Sequence, residues 1–251
     1  MTKLVILGSS NAVTSPNHEN THMAIVGSEK TVLIDSPGNP LVRLKMIGVP
    51  IEQISDLVLT HFHPDHVAGV PLFLMDLWLL GRQSPLMIHG LGYTLDRVEK
   101  VMELNNWDRW PGFYPVSFNR LAEQEMVAVA DHGEFRVYAS PVHHLIPTIG
   151  LRVEFPKVNK TLAYSCDTEP CQEVIRLAGG VDVLIHEAAG PARGHSSARQ
   201  AGQVAKVAEV NSLYLIHYPT WDVNPQHFTA EAQETFGGMV NLAVDMMELE
   251  F

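Results

Sequence analysis

Cysteine, basic residues and long apolar runs are all scarce in this chain. Its only cysteines, Cys166 and Cys171, lie five positions apart, a poor basis for the disulfide framework of a secreted domain, and they point to a reducing, cytoplasmic setting. Lysine and arginine number 17 against 28 aspartates and glutamates, a formal charge of −11. That balance argues against a broad grip on nucleic acid, whose phosphates demand clustered cations, but not against a small phosphate ester. The most apolar stretch, Val67 to Leu80, is interrupted by Asp76 and falls short of the roughly 20 residues that cross a bilayer, so no membrane anchor is expected. The start, Met1 to Gly8, holds too short an apolar run for a signal peptide and reads as a strand. Linkers and low-complexity segments are missing as well. Residues 1–251 therefore read as one domain, long enough for two hydrophobic layers.

What the chain does contain is short β-type runs in two similar groups. Leu4–Leu7, Met23–Val26, Thr31–Ile34 and Leu57–Leu59 open the first group, and Asp35-Ser36-Pro37-Gly38 breaks the third of them. Leu41 to Ile47, Val67 to Leu80 and Thr94 to Leu104 have helical spacing, with a strand at Leu86–His89. In the second half, strands are expected near Met126–Val129, Phe135–Ala139, Thr161–Ser165, Val181–Ile185 and Leu213–Ile216. Helices are expected from Glu169 to Ala178, stopped by Gly179-Gly180, and from Ser196 to Glu209. Two such groups suggest an α/β protein with two sheets face to face and helices outside, a four-layer αββα sandwich.

The chemistry is concentrated in His61-Phe62-His63-Pro64-Asp65-His66, directly after the apolar run Ile54 to Thr60. Four metal-binding side chains in six positions are hard to explain by packing or turn chemistry. Imidazole and carboxylate suit zinc and its first-row neighbours, and a tight loop holding four of them suits two adjacent ions. The pattern His-x-His-x-Asp-His, preceded by Thr60, resembles the signature of the metallo-β-lactamase-fold hydrolases. That family needs a further His, a bridging Asp and a late His at strand ends. Pro141-Val142-His143-His144, Tyr164-Ser165-Cys166-Asp167-Thr168 and Leu213-Tyr214-Leu215-Ile216-His217 supply them in order. A closer resemblance is to the ribonuclease Z-like phosphodiesterases. It rests on His144 followed by Gly150-Leu151-Arg152, on Asp167-Thr168, and on Ile185-His186-Glu187-Ala188 followed by Gly194-His195-Ser196.

The resemblance implies a metallo-β-lactamase sandwich and two divalent ions, zinc first, with manganese or iron as alternatives. His61, His63 and His144 would hold one ion, Asp65, His66 and His217 the other, and Asp167 would bridge them. A shared hydroxide would attack phosphorus or a carbonyl carbon. Asp65, His195 and Glu187 are the expected catalytic residues, His195 stabilising charge or protonating the leaving oxygen and Glu187 orienting it. The bland reading of His195 is a cap for the Ser196 helix. His143 competes with His144: adjacent strand residues point to opposite sides, so only one can face the site, and the resemblance, through Gly150-Leu151-Arg152, favours His144. His186 reads as a packed histidine, and His18, His22, His89, His132 and His227 as structural or solvated ones, with a minor claim for His22 near Asn20. Cys166 stands where the family usually has Gly. The segment Trp107 to Tyr114 could be a lid, a contact between two copies, or core filling.

The resemblance also breaks. Ribonuclease Z proper carries a long arm between the His144 and Asp167 motifs that clamps tRNA, whereas only Val153 to Ala163 separate Arg152 from Tyr164 here, enough for a hairpin. With the acidic charge, this disfavours tRNA. The expected function is metal-dependent hydrolysis of a phosphodiester, a small or cyclic nucleotide or an RNA end. Carboxyl-ester or lactone hydrolysis and iron-dependent redox chemistry are alternatives on the same fold. A small-molecule substrate and a possible homodimer complete the expectation.

Overall fold

The computed structural model describes residues 2–251. Side-chain alternation decides the layering. In β1 (Lys3–Gly8), Leu4 and Ile6 face one side and Val5 and Leu7 the other, and all four are fully buried. A strand apolar on both faces belongs between two other layers. β2 (His22–Val26), β3 (Thr31–Ile34), β4 (Ile54–Val58), β5 (Leu86–Leu91), β6 (Val116–Leu121) and the C-terminal β14 (Glu248–Glu250) complete its sheet. The order is β14-β1-β2-β3-β4-β5-β6. The second sheet holds β7 (Val127–Asp131), β8 (Arg136–Val142), β9 (Thr148–Phe155), β10 (Lys160–Tyr164), β11 (Val183–Glu187), β12 (Ser212–Ile216) and β13 (Met239–Leu242). Its order simply descends, β13 to β7.

Three apolar layers result. Ile6, Ile25, Val58, Phe135, Val153 and Tyr164 meet between the sheets. Leu33 on β3, Leu57 on β4 and Ile88 on β5 pack against the helices of the first half: α1 (Leu41–Met46), α2 (Pro64–Val67), α3 (Val70–Leu79) and α4 (Gly92–Leu104). Leu184 and Leu213 pack against α5 (Gln172–Leu177), α6 (Ala198–Val207) and α7 (Gln226–Phe236). This is the four-layer αββα sandwich expected from the two groups of strands and helices.

Three helices differ from their expected bounds, each for a local reason. The run from Val67 to Leu80 is divided at Ala68-Gly69. A Cβ on Gly69 would lie 1.6 Å from the Gly38 carbonyl oxygen, and Pro71 lacks the N–H that a continuous helix would use. The helix expected from Glu169 begins at Gln172, because the Glu169 N–H donates to the His143 carbonyl (2.8 Å) and its carboxylate accepts from the Gly194 N–H (2.7 Å). α6 begins at Ala198 behind a capping box in which the Ser197 hydroxyl and Gln200 side chain bond each other's backbone. β6, β9, α7, β13 and β14 have no counterpart among the expected elements; β9 and β10 form the hairpin, joined by a turn at residues 156–159.

Between the sheets lies one polar cluster. Asp56 on β4 accepts hydrogen bonds from His89 Nε2 on β5 (2.8 Å), from His132 Nε2 in the β7–β8 turn (2.8 Å) and from the Ser55 hydroxyl (2.6 Å). It thereby ties the first sheet to the second. Burial pushes the Asp56 carboxyl up, yet the bonds from His132, His89 and Ser55 outweigh burial and hold it well below its ordinary 3.8. Removing the acceptor would leave one buried imidazole donor, His89, and one half-buried donor, His132, unpaired. Asp56→Ala is therefore expected to lower the unfolding free energy by about 3 kcal/mol at neutral pH. A carboxyl depressed in the folded state stabilises it fully above the unfolded value and loses that contribution as pH falls further. The wild-type advantage should thus shrink below pH 3.8, and chemical denaturation at several pH values measures it.

Candidate metal centre

The C-terminal ends of strands from both sheets converge on one region. β3 runs into Asp35, β4 into Thr60 to His66, β8 into His143-His144, β10 into Cys166-Asp167, and β12 into His217, while Glu187 ends β11. The chain leaves three of these strands through a left-handed residue: Asp35 (φ 63°), Cys166 (φ 53°) and His217 (φ 54°). Non-glycine residues rarely adopt this region, and such strain persists only where its surroundings enforce it.

Two groups of donors form there. One ligand atom from each of His61, His63, His144 and Asp167 lies within 4.8 Å of the others, and the same holds for Asp65, His66, Asp167 and His217. Asp167 belongs to both. His63 Nδ1 stands 3.0 Å from His61 Nε2 and 3.1 Å from His144 Nε2. Nitrogens around a tetrahedral ion with metal–nitrogen bonds of about 2.0–2.1 Å are separated by roughly 3.3 Å, so this spacing fits one. Asp167 Oδ2 is 3.3 Å from His217 Nε2, and Asp167 Oδ1 is 3.6 Å from His66 Nε2. Both Asp167 Oδ1 and His66 Nε2 are buried and have no hydrogen-bond partner among the described residues. Buried polar atoms left unpaired and aimed at each other at that distance fit a cation between them.

Protonation suits the same purpose. Burial holds His61 well below its ordinary value, lowers His63 and His144, and brings His217 down to about 4. Neutral imidazoles have a lone pair to give. His66 differs: burial lowers it, but the Asp167 and Asp35 carboxylates outweigh burial and lift it. A cation there would compete with the proton on Nε2.

Ring orientation depends on a residue outside the metal motifs. Asp35, fully buried, accepts from the Thr60 N–H (2.8 Å), the Thr60 hydroxyl (2.7 Å) and His66 Nδ1 (2.7 Å). The Thr60 oxygen is in turn 3.1 Å from His61 Nδ1. One carboxylate thus fixes His66 directly and His61 through Thr60, leaving each Nε2 to the centre. His144 Nδ1 is held by the Gly194 carbonyl (2.6 Å) and His217 Nδ1 by the Thr21 hydroxyl (3.1 Å). The signal for Asp35 was its place just past a buried strand, as with Asp167.

Beside the donors lies the expected pair. His195 Nδ1 donates to Glu187 Oε1 (2.9 Å), and the N–H groups of Thr168 (3.0 Å) and Ala189 (2.8 Å) donate to the same carboxylate. Burial pushes the Glu187 carboxyl up to about 7 against the His195 bond, and the Asp167 charge pushes the same way. The Glu187 bond raises His195 despite partial burial. With three donors aimed at Glu187, the shared proton belongs on His195. The His195 ring centroid is 4.8 Å from that of His144.

The profile of the β-lactamase superfamily domain matches residues 31–218, which hold all seven candidate metal donors and the Glu187–His195 pair. The chain belongs to the β-lactamase superfamily. This superfamily member is similar to ribonuclease Z of Methanothermobacter thermautotrophicus, with 25% identity over 305 aligned positions covering 100% of this chain and 97% of the relative. In structure it is similar to the metallo-β-lactamase fold protein YhfI from Bacillus subtilis, with a TM-score of 0.83, 20% identity, and coverage of 100% of this chain and 99% of that one. It is also similar to the short form of human tRNase Z, with a TM-score of 0.73, 23% identity, and coverage of 99% and 98%. It is a metal-dependent hydrolase, and its fold implies divalent metal ions.

Within this superfamily member the remaining candidates separate clearly. His143 turns outward, its Nε2 3.4 Å from Glu173 Oε2, while His144 faces the donors. Cys166 is fully buried with its thiol pushed well up by burial, and its left-handed φ accounts for a position where glycine would be easier. His186 is buried and its Nδ1 donates to the Glu187 carbonyl (2.8 Å), and His22 Nδ1 likewise donates to the Asn20 carbonyl (2.8 Å). The aromatic segment packs on the outer layer of the first sheet: Trp110 stacks on Trp78 at 5.2 Å, and Trp107 meets Phe118. Core filling describes it. No helix among the described residues is long and apolar enough to cross a membrane.

Asp35→Asn keeps the shape but places an NH2 group against the His66 donor. Carboxylates that orient ligating histidines are typically worth 10- to 100-fold in metal affinity, so a loss of about that size is expected. Competition with a chromogenic chelator measures it; unaltered retention would show that His61 and His66 hold their orientation without Asp35.

Proposed function

We propose that this chain is a phosphodiesterase that works with two divalent metal ions, zinc or manganese. The observation that carries this reading is the double donor set sharing Asp167, with the half-buried His195 held by the buried Glu187 beside it. His61, His63 and His144 would hold one ion, Asp65, His66 and His217 the other, with Asp167 between them. Bound there, such ions supply Lewis acidity to a phosphoryl oxygen and ease the loss of a proton from water near neutral pH. The residues of the chain do the rest. Asp65 is the more open carboxylate, with its side chain 16% exposed against 2% for Asp167, and it orients the incoming water by accepting a hydrogen bond. Glu187 fixes the His195 ring through Nδ1, which leaves Nε2 to carry the proton toward the leaving oxygen. The ester and lactone reading gains nothing from the aromatic segment, whose Trp107, Trp110 and Phe113 pack on the outer layer of the first sheet.

The relatives named ribonuclease Z favour an RNA end or another nucleotide diester as substrate. The short β9–β10 turn offers no clamp for a folded RNA, and the charge of −11 offers no broad basic face. Short or single-ended phosphodiesters fit best.

Protein loaded with zinc or manganese should hydrolyse bis(p-nitrophenyl) phosphate and lose that activity on chelation, with about two ions recovered per chain. Hydrolysis of a nitrophenyl carboxyl ester alone would overturn the phosphodiester reading. His195→Ala should slow diesters with alkoxide leaving groups by roughly 100-fold or more, and nitrophenolate release far less, since that group needs little protonation. Equal losses on both would count against proton transfer by His195.

A further inference from the structure

Outside the centre, one further mixed group of donors stands among the described residues. One ligand atom from each of His143, Cys171 and Glu173 lies within 4.8 Å of the other two. His143 follows β8 and points away from the centre that His144 serves. Cys171 comes four positions after Asp167, and Glu173 lies in the first turn of α5. Two separate stretches of chain, each leaving the centre, therefore meet again on its outward side.

Hydrogen bonds hold these stretches in place. The His143 N–H donates to Thr168 Oγ1 (3.2 Å), and the His143 carbonyl accepts from the Glu169 N–H (2.8 Å). Thr168 Oγ1 is also 3.8 Å from Cys171 Sγ. Glu173 Oε1 accepts from Arg176 Nη2 (3.0 Å), whose guanidinium makes two further bonds to Glu125 (2.9 and 2.7 Å). The second oxygen, Oε2, faces His143 Nε2 at 3.4 Å. The Glu173 carboxyl is lowered from its ordinary value by its own N–H and then, despite slight burial, by Arg176, Cys171 and His143, so it stands ready as an anion. The other thiol, Cys166, is fully buried 3.6 Å from His61 Nδ1. Cys171 is only partly buried, and the His143 side chain is 65% exposed. An ion from solution can reach this group.

From this juxtaposition we infer that His143, Cys171 and Glu173 form a third metal position, which takes a thiophilic divalent ion of the zinc type. Sulfur, imidazole and carboxylate together select zinc and its softer neighbours over manganese or magnesium. The 3.4 Å between nitrogen and oxygen is close to the roughly 3.3 Å expected around a tetrahedral ion with bonds of about 2.0–2.1 Å. As the metal–sulfur bond forms, Cys171 Sγ gives its proton to solvent. Thiolate and carboxylate then balance the charge of the ion, and water fills the fourth position. The ion would pin the chain beyond Asp167 to the end of β8. With three protein donors and an open face it exchanges with solution, and desalting removes it while the centre keeps its own ions. The inference does not depend on which ester the centre hydrolyses.

The probe is cobalt(II), because a cysteine–cobalt bond adds an intense near-ultraviolet absorption that histidine and carboxylate ligands lack. Metal-loaded, desalted protein titrated with cobalt(II) under exclusion of oxygen should gain this absorption with an end point of about one ion per chain. Zinc should then displace the cobalt, and manganese should not. Cys171→Ser should abolish the absorption. His143→Gln and Glu173→Gln should keep it but each weaken cobalt binding by about tenfold or more. No absorption in wild type, absorption that survives in Cys171→Ser, or unaltered affinity in either glutamine variant overturns the inference. None of the donors proposed for the centre is a thiol, so these outcomes leave the phosphodiesterase reading to its own test.

Discussion

The buried carboxylate of Asp35 is the constraint on which the centre depends. It reaches His66 directly and His61 through Thr60, one histidine from each donor group. A buried carboxylate is costly unless its oxygens are fully hydrogen-bonded. Here the bonds from the Thr60 hydroxyl and from His66 that satisfy Asp35 also set the tautomer and tilt of two rings. Solvation and ligand geometry are thus one problem with one solution, and neither can be altered alone.

The fold supplies that solution by ending strands rather than by shaping a pocket in mid-sheet. Donors arrive from the loop and short helix that follow β4 in one sheet and from the ends of β8, β10 and β12 in the other. Left-handed residues turn the chain at the ends of β10 and β12, and at the end of β3 where Asp35 sits. The sheets must therefore keep their mutual position to within the tolerance of hydrogen bonds. Apolar packing between them is forgiving of small slides, whereas the contact of Asp56 with His132 across the sheets is directional. The polar cluster and the apolar layer do different work.

Much of this was legible in the residues. The dense loop from His61 to His66 announces metal chemistry by composition alone, and the structure brings His144, Asp167 and His217 against it. Glu187 and His195, eight residues apart, meet as the resemblance implied. What stayed hidden depended on contacts distant in sequence. Asp35 sits in a stretch that reads as a plain turn, and its role exists only once Thr60 and His66 lie beside it. The break at Gly69 comes from the Gly38 backbone, some thirty positions away. The late start of α5 comes from the pull of Gly194 on Glu169. Edge and outer elements such as β13, β14 and α7 carry little apolar periodicity, because one or both of their faces meet water.

Drawing the donors from both sheets has a thermodynamic consequence. A ligand that binds the assembled centre but not the open chain adds its binding free energy to the cohesion of the sandwich. Whatever spans these side chains is therefore a rivet as well as a reagent. The separation of the two sheets and the release of that ligand become a single event, so the supply of ligand in the surroundings sets how long each molecule survives intact.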